Sequence, residues 1–238
     1  MVFNLLVTSF IAGSVGTAIG CGVAVLMKNN QKDSFIYGFT SGFLILIVMF
    51  DLVPSSISYS SYYLCFLSMV VGAIFVYVLN KVLHGGIDDE KRSMGILLFI
   101  AIALHNFPEG VAIGAGFEVE LNFAIFISII MALHNIPEGM AMGISLFESG
   151  KTKLQVVLFG LIAGLPTCLG ALAGNFFAHI DERFIGGGLG FASGAMLYVC
   201  LAELVPHGRR QNKKKFYVYL IVGVVTAQIV LILFKNLI

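Results

Sequence analysis

The chain has 238 residues, of which 58% are hydrophobic and 11% charged, and its mean hydropathy is +0.97. Soluble domains usually carry about 25% charged residues, so this composition excludes a soluble protein and predicts one that lies in a bilayer. A net charge of +1 and an isoelectric point near 7.7 exclude a strongly basic nucleic-acid-binding surface. We therefore expect a single integral membrane domain over residues 1–238, with lipids, ions or small solutes as partners.

Eight apolar runs follow one another along the chain, each long enough to cross a bilayer as a helix of about 20 residues. Predicted spans 1 to 8 cover residues 2–27, 34–56, 62–83, 94–117, 121–147, 152–178, 184–205 and 216–236. The runs are continuous and do not alternate in polarity, which favours helices over barrel strands. The sequence thus predicts an all-α, polytopic membrane protein with eight transmembrane helices.

The positive charges predict how the spans are oriented. Twelve of the 14 Lys and Arg residues lie in or at the edges of the loops that follow spans 1, 3, 5 and 7, and only Arg183 and Lys235 lie on the other side. Short loops rich in Lys and Arg stay in the cytoplasm. We therefore expect a multi-pass protein of the cell (plasma) membrane with both termini outside the cytoplasm.

Two internal repeats relate spans that run in opposite directions. GFTSGFLILIVMFDLVP, residues 38–54 in span 2, aligns without gaps with GFASGAMLYVCLAELVP, residues 190–206 in span 7. ALHNFPEG, residues 103–110 in span 4, matches ALHNIPEG, residues 132–139 in span 5. Inverted repeats with polar, helix-interrupting residues near the bilayer midplane are typical of secondary transporters.

The second repeat places ionisable side chains inside the membrane, where an unpaired charge costs about 3 kcal/mol or more. With about 100° between successive helical residues, Glu109 lies between His105 and Asn106 on one helix face. The antiparallel copy provides His134, Asn135 and Glu138 in the same arrangement. Imidazole favours Zn, Cu, Fe or Ni, and the mixture with carboxylates indicates a divalent transition metal.

The prolines of the two motifs point to the same place. A proline within a helix removes one backbone donor and clashes with the carbonyl four residues before it. We therefore expect Pro108 and Pro137 to distort spans 4 and 5 beside the His-Asn pairs. Such irregular backbone is tolerated at membrane depth only inside protein or along a polar cavity.

These paired motifs, the eight spans and the outside termini together resemble the ZIP (Zrt/Irt-like) family of metal transporters, in its bacterial branch. The resemblance covers essentially the whole chain and implies an eight-helix bundle in a 3+2+3 inverted-repeat arrangement. It implies a transporter and not an enzyme, which moves Zn²⁺ or a related divalent ion into the cytoplasm as substrate, with no cofactor. It also implies a binuclear metal centre made by His105, Asn106, Glu109, His134, Asn135 and Glu138.

Span 6 departs from the family pattern at one position. Many bacterial relatives have a Glu there that completes the second metal position, whereas residues 160–170 of this chain align Thr167 with it. A neutral hydroxyl is the weaker ligand. The second position therefore binds a metal weakly, recruits a water, or leaves the centre mononuclear.

Two further carboxylates occupy matching places in the span 2 and span 7 repeat. Asp51 is expected towards the outside and Glu203 towards the cytoplasm. We interpret them as entrance and exit ligands that attract a dication without retaining it. The alternative is that each is an interfacial charge that reaches to water.

Several alternatives stay open at this stage. An intramembrane zinc protease would need His-Glu-x-x-His, whereas the chain has His-Asn-x-Pro-Glu, and a metal sensor would usually need a soluble output domain. The choice among Zn, Fe, Mn and Cd is open, as is that between channel-like and proton-coupled transport. Many Gly-x-x-x-Gly pairs indicate close helix packing inside the bundle or at a homodimer face, among them Gly38/Gly42, Gly110/Gly114, Gly139/Gly143, Gly160/Gly164 and Gly190/Gly194.

Overall fold

The computed structural model of the protein describes residues 2–27, 33–86, 90–119, 121–177 and 181–235, and all regular structure in these ranges is helical. The spans keep the numbers given above. Their bounds are Val2–Phe10, Ile11–Val15 and Gly16–Met27 for span 1; Asp33–Ile47, Val48–Leu52 and Val53–Tyr59 for span 2; Tyr62–Gly86 for span 3; Glu90–Val119 for span 4; Leu121–Glu148 for span 5; Lys153–Phe177 for span 6; Glu182–Val199 with Cys200–Leu204 for span 7; and, for span 8, the part of Val205–Lys235 that follows Asn212.

Spans 7 and 8 form one helical stretch that is interrupted at Asn212, where the backbone is extended (φ −159°, ψ 101°). The Asn212 side chain caps span 8, because the backbone N–H of Lys215 donates to its Oδ1 at 3.0 Å. Seven described stretches are long and apolar enough to cross a membrane, and the last, Arg183–Leu233, has 51 residues. That length suffices for two crossings, so the structure agrees with the predicted eight-span, all-α fold.

Several helices continue beyond their predicted ends. Span 3 ends at Gly86, whereas the sequence predicted its end at residue 83. Span 4 begins at Glu90, whereas the sequence predicted its start at residue 94. The prediction followed the apolar run, but the backbone hydrogen bonds of a helix continue for a turn or two beyond the hydrocarbon layer.

In the described ranges, three spans contain a five-residue π-helical segment: Ile11–Val15, Val48–Leu52 and Cys200–Leu204. The last two occupy the same place in the repeat and end just before Pro54 and Pro206. Proline lacks the N–H that would bond the carbonyl four residues earlier, which favours a wider turn there. Spans 4 and 5 stay α-helical through Pro108 and Pro137 without a π-helical segment, and the distortion expected at these prolines stays a prediction.

The spans pack as two groups of four. Spans 1, 4, 5 and 6 form one group, in which span 4 lies against span 6 and span 1 against span 5. Spans 2, 3, 7 and 8 form the other, in which span 2 lies against span 8 and span 3 against span 7. Spans 4 and 5 also contact spans 7 and 2, respectively, so the two His-Asn motifs lie where the groups meet.

Glycines make the close contacts within each group possible. A methyl group at Gly42 would overlap the carbonyl oxygen of Leu220, and one at Gly110 would overlap the carbonyl oxygen of Thr167. The predicted Gly-x-x-x-Gly pairs all lie against another span of the same chain: Gly38/Gly42, Gly110/Gly114, Gly139/Gly143, Gly160/Gly164 and Gly190/Gly194. They pack the bundle itself, and a homodimer stays a prediction.

The glycine contacts also extend the inverted repeat to spans 3 and 8. Span 2 packs against span 8 in the same way as span 7 packs against span 3, with one glycine from each helix in the contact. Between spans 2 and 8, Gly42 contacts Leu220 and Gly223 contacts Phe39. Between spans 7 and 3, Gly194 contacts Met69 and Gly72 contacts Phe191. The first and last three spans therefore share one packing scheme, as a 3+2+3 arrangement requires.

Large apolar side chains cover the outside of the bundle. Examples on span 3 are Phe66, which is 68% exposed, and Ile74, which is 55% exposed. Exposed apolar side chains of this size suit helices that are long and apolar enough to cross a membrane.

Candidate metal centre

The two HNxPEG motifs face each other across the contact between spans 4 and 5. His105 Nε2 lies 2.7 Å from Glu138 Oε2, and His134 Nε2 lies 3.1 Å from Glu109 Oε1. Each imidazole thus contacts the carboxylate of the opposite motif and not that of its own helix. All four side chains are buried, with at most 3% of their surface exposed.

The asparagines are oriented with their amide oxygens free. Asn106 Nδ2 donates to the carbonyl oxygen of Ala163 in span 6 at 2.9 Å, and Asn135 Nδ2 donates to that of Ala12 in span 1 at 3.0 Å. A carbonyl can only accept, which fixes which end of each amide is the NH₂ group. Both Oδ1 atoms are buried without a hydrogen-bond partner in the part of the chain that the structure describes, and they are available as ligands.

The two histidines differ in how they are held. His105 Nδ1 lies 3.0 Å from the carbonyl oxygen of Ala101, so Nδ1 carries the hydrogen and Nε2 is the nitrogen that can bind a metal. His134 Nδ1 is buried and has no hydrogen-bond partner among the described residues. Only His105 therefore has its ring and tautomer fixed by a second hydrogen bond.

The histidine and glutamate side chains of the centre are hydrogen-bonded to one another. Within the described ranges, no group of three or more His, Cys, Asp or Glu side chains is arranged to hold a metal ion. One oxygen of each carboxylate, Glu109 Oε2 and Glu138 Oε1, is nevertheless buried without a partner. A dication would replace the two His–Glu hydrogen bonds and use these oxygens, so the donors are present but paired with one another.

A small cavity adjoins one of the two pairs. It holds about 20 Å³, which is room for about one water molecule. His105 and Glu138 are its polar walls, and the remaining walls are apolar, among them Leu98, Met196 and Leu204. The cavity lies beside the part of span 4 that precedes its motif and the part of span 5 that follows its motif. Both parts lie on the predicted cytoplasmic side.

Thr167 lies where spans 1, 4 and 6 meet. It is fully buried, its carbonyl oxygen faces Gly110, and its hydroxyl faces Gly13. Within the described ranges, the hydroxyl oxygen has no hydrogen-bond partner. Its counterpart in span 1 is Thr17, which faces Gly139 in the same way but donates its hydroxyl to the carbonyl oxygen of Gly13 at 2.8 Å.

Asp51 and Glu203 occupy matching π-helical segments but have different surroundings. Asp51 is half-buried and interacts electrostatically with His134 and Glu109. Glu203 accepts a hydrogen bond from Asn80 Nδ2 of span 3 at 2.6 Å, and Asn80 also donates to the Tyr198 hydroxyl at 3.2 Å. The structure thus brings Asp51 to the motifs and directs Glu203 towards span 3.

Sequence reasoning missed several polar residues around the motifs. Asn80 holds Glu203, Thr40 Oγ1 donates to the carbonyl oxygen of Pro137 at 3.1 Å, and Ser14 is fully buried beside Gly164. Each is a single polar residue in an apolar run, and only the unusual depth of such residues in a membrane span could have drawn attention to them.

The fold and motifs agree with comparison to known proteins. The chain matches the family profile described as "ZIP Zinc transporter" over residues 87–231, which is more than half of its length. The chain belongs to the ZIP family. It is thus a membrane transporter and not an enzyme, and the predicted resemblance is confirmed.

Relatives extend the match over nearly the whole chain. Zinc transporter ZupT of Streptococcus mutans is 28% identical over 96% of this chain and 95% of its own. Zinc transporter ZTP29 of Arabidopsis thaliana is 29% identical over 82% of both chains. Zinc transporter GufA of Myxococcus xanthus is 33% identical, but that match covers 60% of this ZIP protein and only 59% of the relative.

Proposed function

We propose that this ZIP protein carries Zn²⁺, or a closely related divalent ion, into the cytoplasm through the centre between spans 4 and 5. The observation that supports this proposal best is the reciprocal pairing of His105 with Glu138 and of His134 with Glu109. Buried imidazole and carboxylate groups that converge from two antiparallel helices form a donor set of the kind that zinc binds.

The chemistry of binding follows from the two contacts. A hydrogen lies between His105 Nε2 and Glu138 Oε2, because Nδ1 already donates to Ala101 and the carboxylate can only accept unless it is protonated. An entering dication takes the place of that hydrogen, which is released to solvent as a proton, and the negative charges of the carboxylates offset the charge of the ion. The amide oxygens of Asn106 and Asn135 then complete the coordination.

The route on either side of the centre follows from the predicted orientation. With both termini outside, Asp51 stands on the entry side, where its charge attracts a dication towards Glu109 and His134. The cavity beside His105 and Glu138 lies on the exit side. Glu203, held by Asn80, is the next carboxylate towards the cytoplasm. The whole chain acts as a single membrane domain in the plasma membrane.

The deciding experiment measures uptake of zinc into liposomes that contain the purified protein. Glu109→Gln and Glu138→Gln each remove one negative charge while keeping the side-chain shape, and we expect each to lower uptake at least 100-fold. Glu148→Gln, at the end of span 5 and away from the motifs, is the matched control and should transport normally. Uptake at the wild-type rate by either centre variant, at equal amounts of reconstituted protein, would show that the centre lies elsewhere.

A further inference from the structure

Tyr37 is a fully buried tyrosine of span 2 whose side chain reaches the other group of spans. Its hydroxyl oxygen lies 3.2 Å from the Oγ of Ser145 in span 5. Ser145 Oγ donates its own hydrogen to the carbonyl oxygen of Ala141 at 3.1 Å, so it accepts the hydrogen of the Tyr37 hydroxyl. This hydrogen bond therefore joins the two groups of spans.

The ring of Tyr37 packs against the chain segment that follows span 7. Its centre lies 5.4 Å from the centre of the His207 ring, and its Cβ packs against Gly208. Phe216 of span 8 is also fully buried and contacts the same glycine. Tyr37 thus fills the space between span 2, span 5 and the junction of spans 7 and 8.

Helix geometry places Tyr37 on the predicted cytoplasmic side of the small cavity at the metal centre. Three spans that meet at Tyr37 also supply walls of that cavity: Leu44 of span 2, Ala141 of span 5 and Leu204 of span 7. Tyr37 lies about two helical turns from its wall residue, and Ser145 and Gly208 lie about one turn from theirs. In each span the residue at the Tyr37 contact is the one nearer the predicted cytoplasmic end.

The stretch between the cavity and Tyr37 contains a polar side chain that its surroundings do not satisfy. Ser41 is fully buried and shares one face of span 2 with Tyr37 and Leu44, at spacings of four and three residues. Its Oγ has no hydrogen-bond partner among the residues that the structure describes. A buried hydroxyl in this state is unfavourable and calls for an explanation. Water or an ion that meets Ser41 when this stretch opens would supply one.

Cys200 borders the same stretch from span 7. It lies four residues from Met196 and four from Leu204, so it shares the helix face of these two wall residues. Its buried Sγ donates to the carbonyl oxygen of Ser41 at 3.5 Å. Cys200 is therefore a native thiol that can report whether water reaches the space between spans 2 and 7.

We propose that Tyr37 closes the exit from the metal centre, and that separation of its hydroxyl from Ser145 lets the ion pass to the cytoplasm. The ion then leaves between spans 2, 5 and 7, past Ser41. The inference rests on the proposed function, because it takes the cavity side of the centre as the exit. Tyr37 holds no ion at the centre and acts on the rate of release, as a residue that gates a route does.

The first test measures how fast Cys200 reacts with a water-soluble methanethiosulfonate reagent in the purified protein, with the modified peptide identified by mass spectrometry. Tyr37→Ala removes the ring, and we expect Cys200 to react at least tenfold faster than in the wild type. Tyr63→Ala is the control, because it removes the same ring from span 3, where Tyr63 is 76% exposed, and should leave the rate unchanged. No increase in folded Tyr37→Ala, or an equal increase in Tyr63→Ala, would overturn the proposal.

A second native thiol distinguishes an opened exit from a loosened bundle. Cys21 of span 1 is fully buried and packs against Gly143 of span 5 and Gly160 of span 6. An opened exit exposes Cys200 and leaves Cys21 protected. Equal acceleration of both thiols in Tyr37→Ala would show that the ring stabilises the whole fold, and the proposal would fail.

The second test measures by stopped flow how fast a chelator removes bound Zn²⁺ from the purified protein. Tyr37→Phe keeps the ring without the hydroxyl, and Ser145→Ala removes the acceptor. Each should speed release at least threefold and leave the equilibrium Zn²⁺ affinity within twofold, because a residue on the route changes the rates of binding and release together. The double variant should be no faster than either single variant, since all three lack the same contact.

The matched control for this kinetic test is Ser128→Ala. Ser128 is buried in the same span as Ser145 but donates its hydroxyl to the carbonyl oxygen of Ala124 at 2.8 Å, so its loss should leave the release rate unchanged. Unchanged release in Tyr37→Phe would overturn the proposal. So would a loss of Zn²⁺ affinity as large as the gain in release rate, because Tyr37 would then act on the centre itself.

The outcome can be separated from that of the proposed function. If the Glu109 and Glu138 variants lose uptake but the reactivity of Cys200 does not depend on Tyr37, only the inference about Tyr37 fails. If those glutamate variants transport normally, the proposed function fails, whatever the thiol result.

Discussion

The two copies of the HNxPEG motif have nearly the same sequence, yet the structure holds them differently. In span 4, His105 is fixed through Nδ1 by the carbonyl of Ala101 and contacts Glu138 at 2.7 Å beside a small cavity. In span 5, no described residue bonds to His134 Nδ1, and this histidine contacts Glu109 at the longer distance of 3.1 Å. A repeated sequence therefore does not give two equivalent halves.

The surrounding helices account for part of this difference. The carbonyl of Pro137 in span 5 accepts a hydrogen bond from Thr40 of span 2. At the matching place in span 7 the residue is Ala192, which has no hydroxyl, and the ring of Pro108 meets Gly188 instead. The motif of span 5 is therefore hydrogen-bonded to span 2, whereas the motif of span 4 packs against span 7 by apolar contact.

The largest expected effect concerns the two histidines. A metal-bound histidine usually depends on a second hydrogen bond, whose loss costs about 10–100-fold in affinity. Because only His105 has such a bond, we expect His105→Ala to weaken Zn²⁺ binding about tenfold more than His134→Ala does. The measurement is competition with a chromophoric chelator on purified, folded protein. Equal losses in the two variants would mean that anchoring through Ala101 does not distinguish the two halves.

Much of this architecture could be predicted from the sequence because the bilayer imposes it. Twenty apolar residues between polar loops fix each span, and the spacing of His105, Asn106 and Glu109 fixes their shared helix face. The packing role of the Gly-x-x-x-Gly pairs was also accessible, since only small residues let helices approach so closely.

The relations between spans could not be read in the same way. Helix geometry does not say how far each span rotates about its own axis, and the π-helical segment Ile11–Val15, which contains no proline, shifts the register of span 1 by one residue. The contact of each histidine with the opposite carboxylate depends on those rotations. For the same reason Ser14 looked like any other small residue in an apolar run.

A smaller effect is expected from the pair Asp51 and Glu203, which share a place in the repeat but not an environment. Asp51 interacts with the centre, so Asp51→Asn should raise the apparent Km for zinc uptake about tenfold, equivalent to about 1.4 kcal/mol. Glu203→Gln keeps an oxygen that can accept the hydrogen bond from Asn80 and should raise the Km less than threefold. Liposome uptake over a range of zinc concentrations measures both. A larger Km change in Glu203→Gln than in Asp51→Asn would reverse the assigned order of importance.

The smallest expected effect concerns the hydrogen bond between Thr40 and Pro137, which joins the two groups of spans. Thr40→Val keeps the shape and removes the donor, and polar contacts between membrane helices contribute about 0.6 kcal/mol on average. We expect a Tm lower by about 2 °C in detergent and near-normal zinc uptake. Thr40→Ser retains the hydroxyl and serves as the control, with a smaller loss of Tm. If Thr40→Val has the same Tm as the wild type, the hydrogen bond to Pro137 contributes nothing to stability. In that case the two copies of the motif differ at their histidines and not at their prolines.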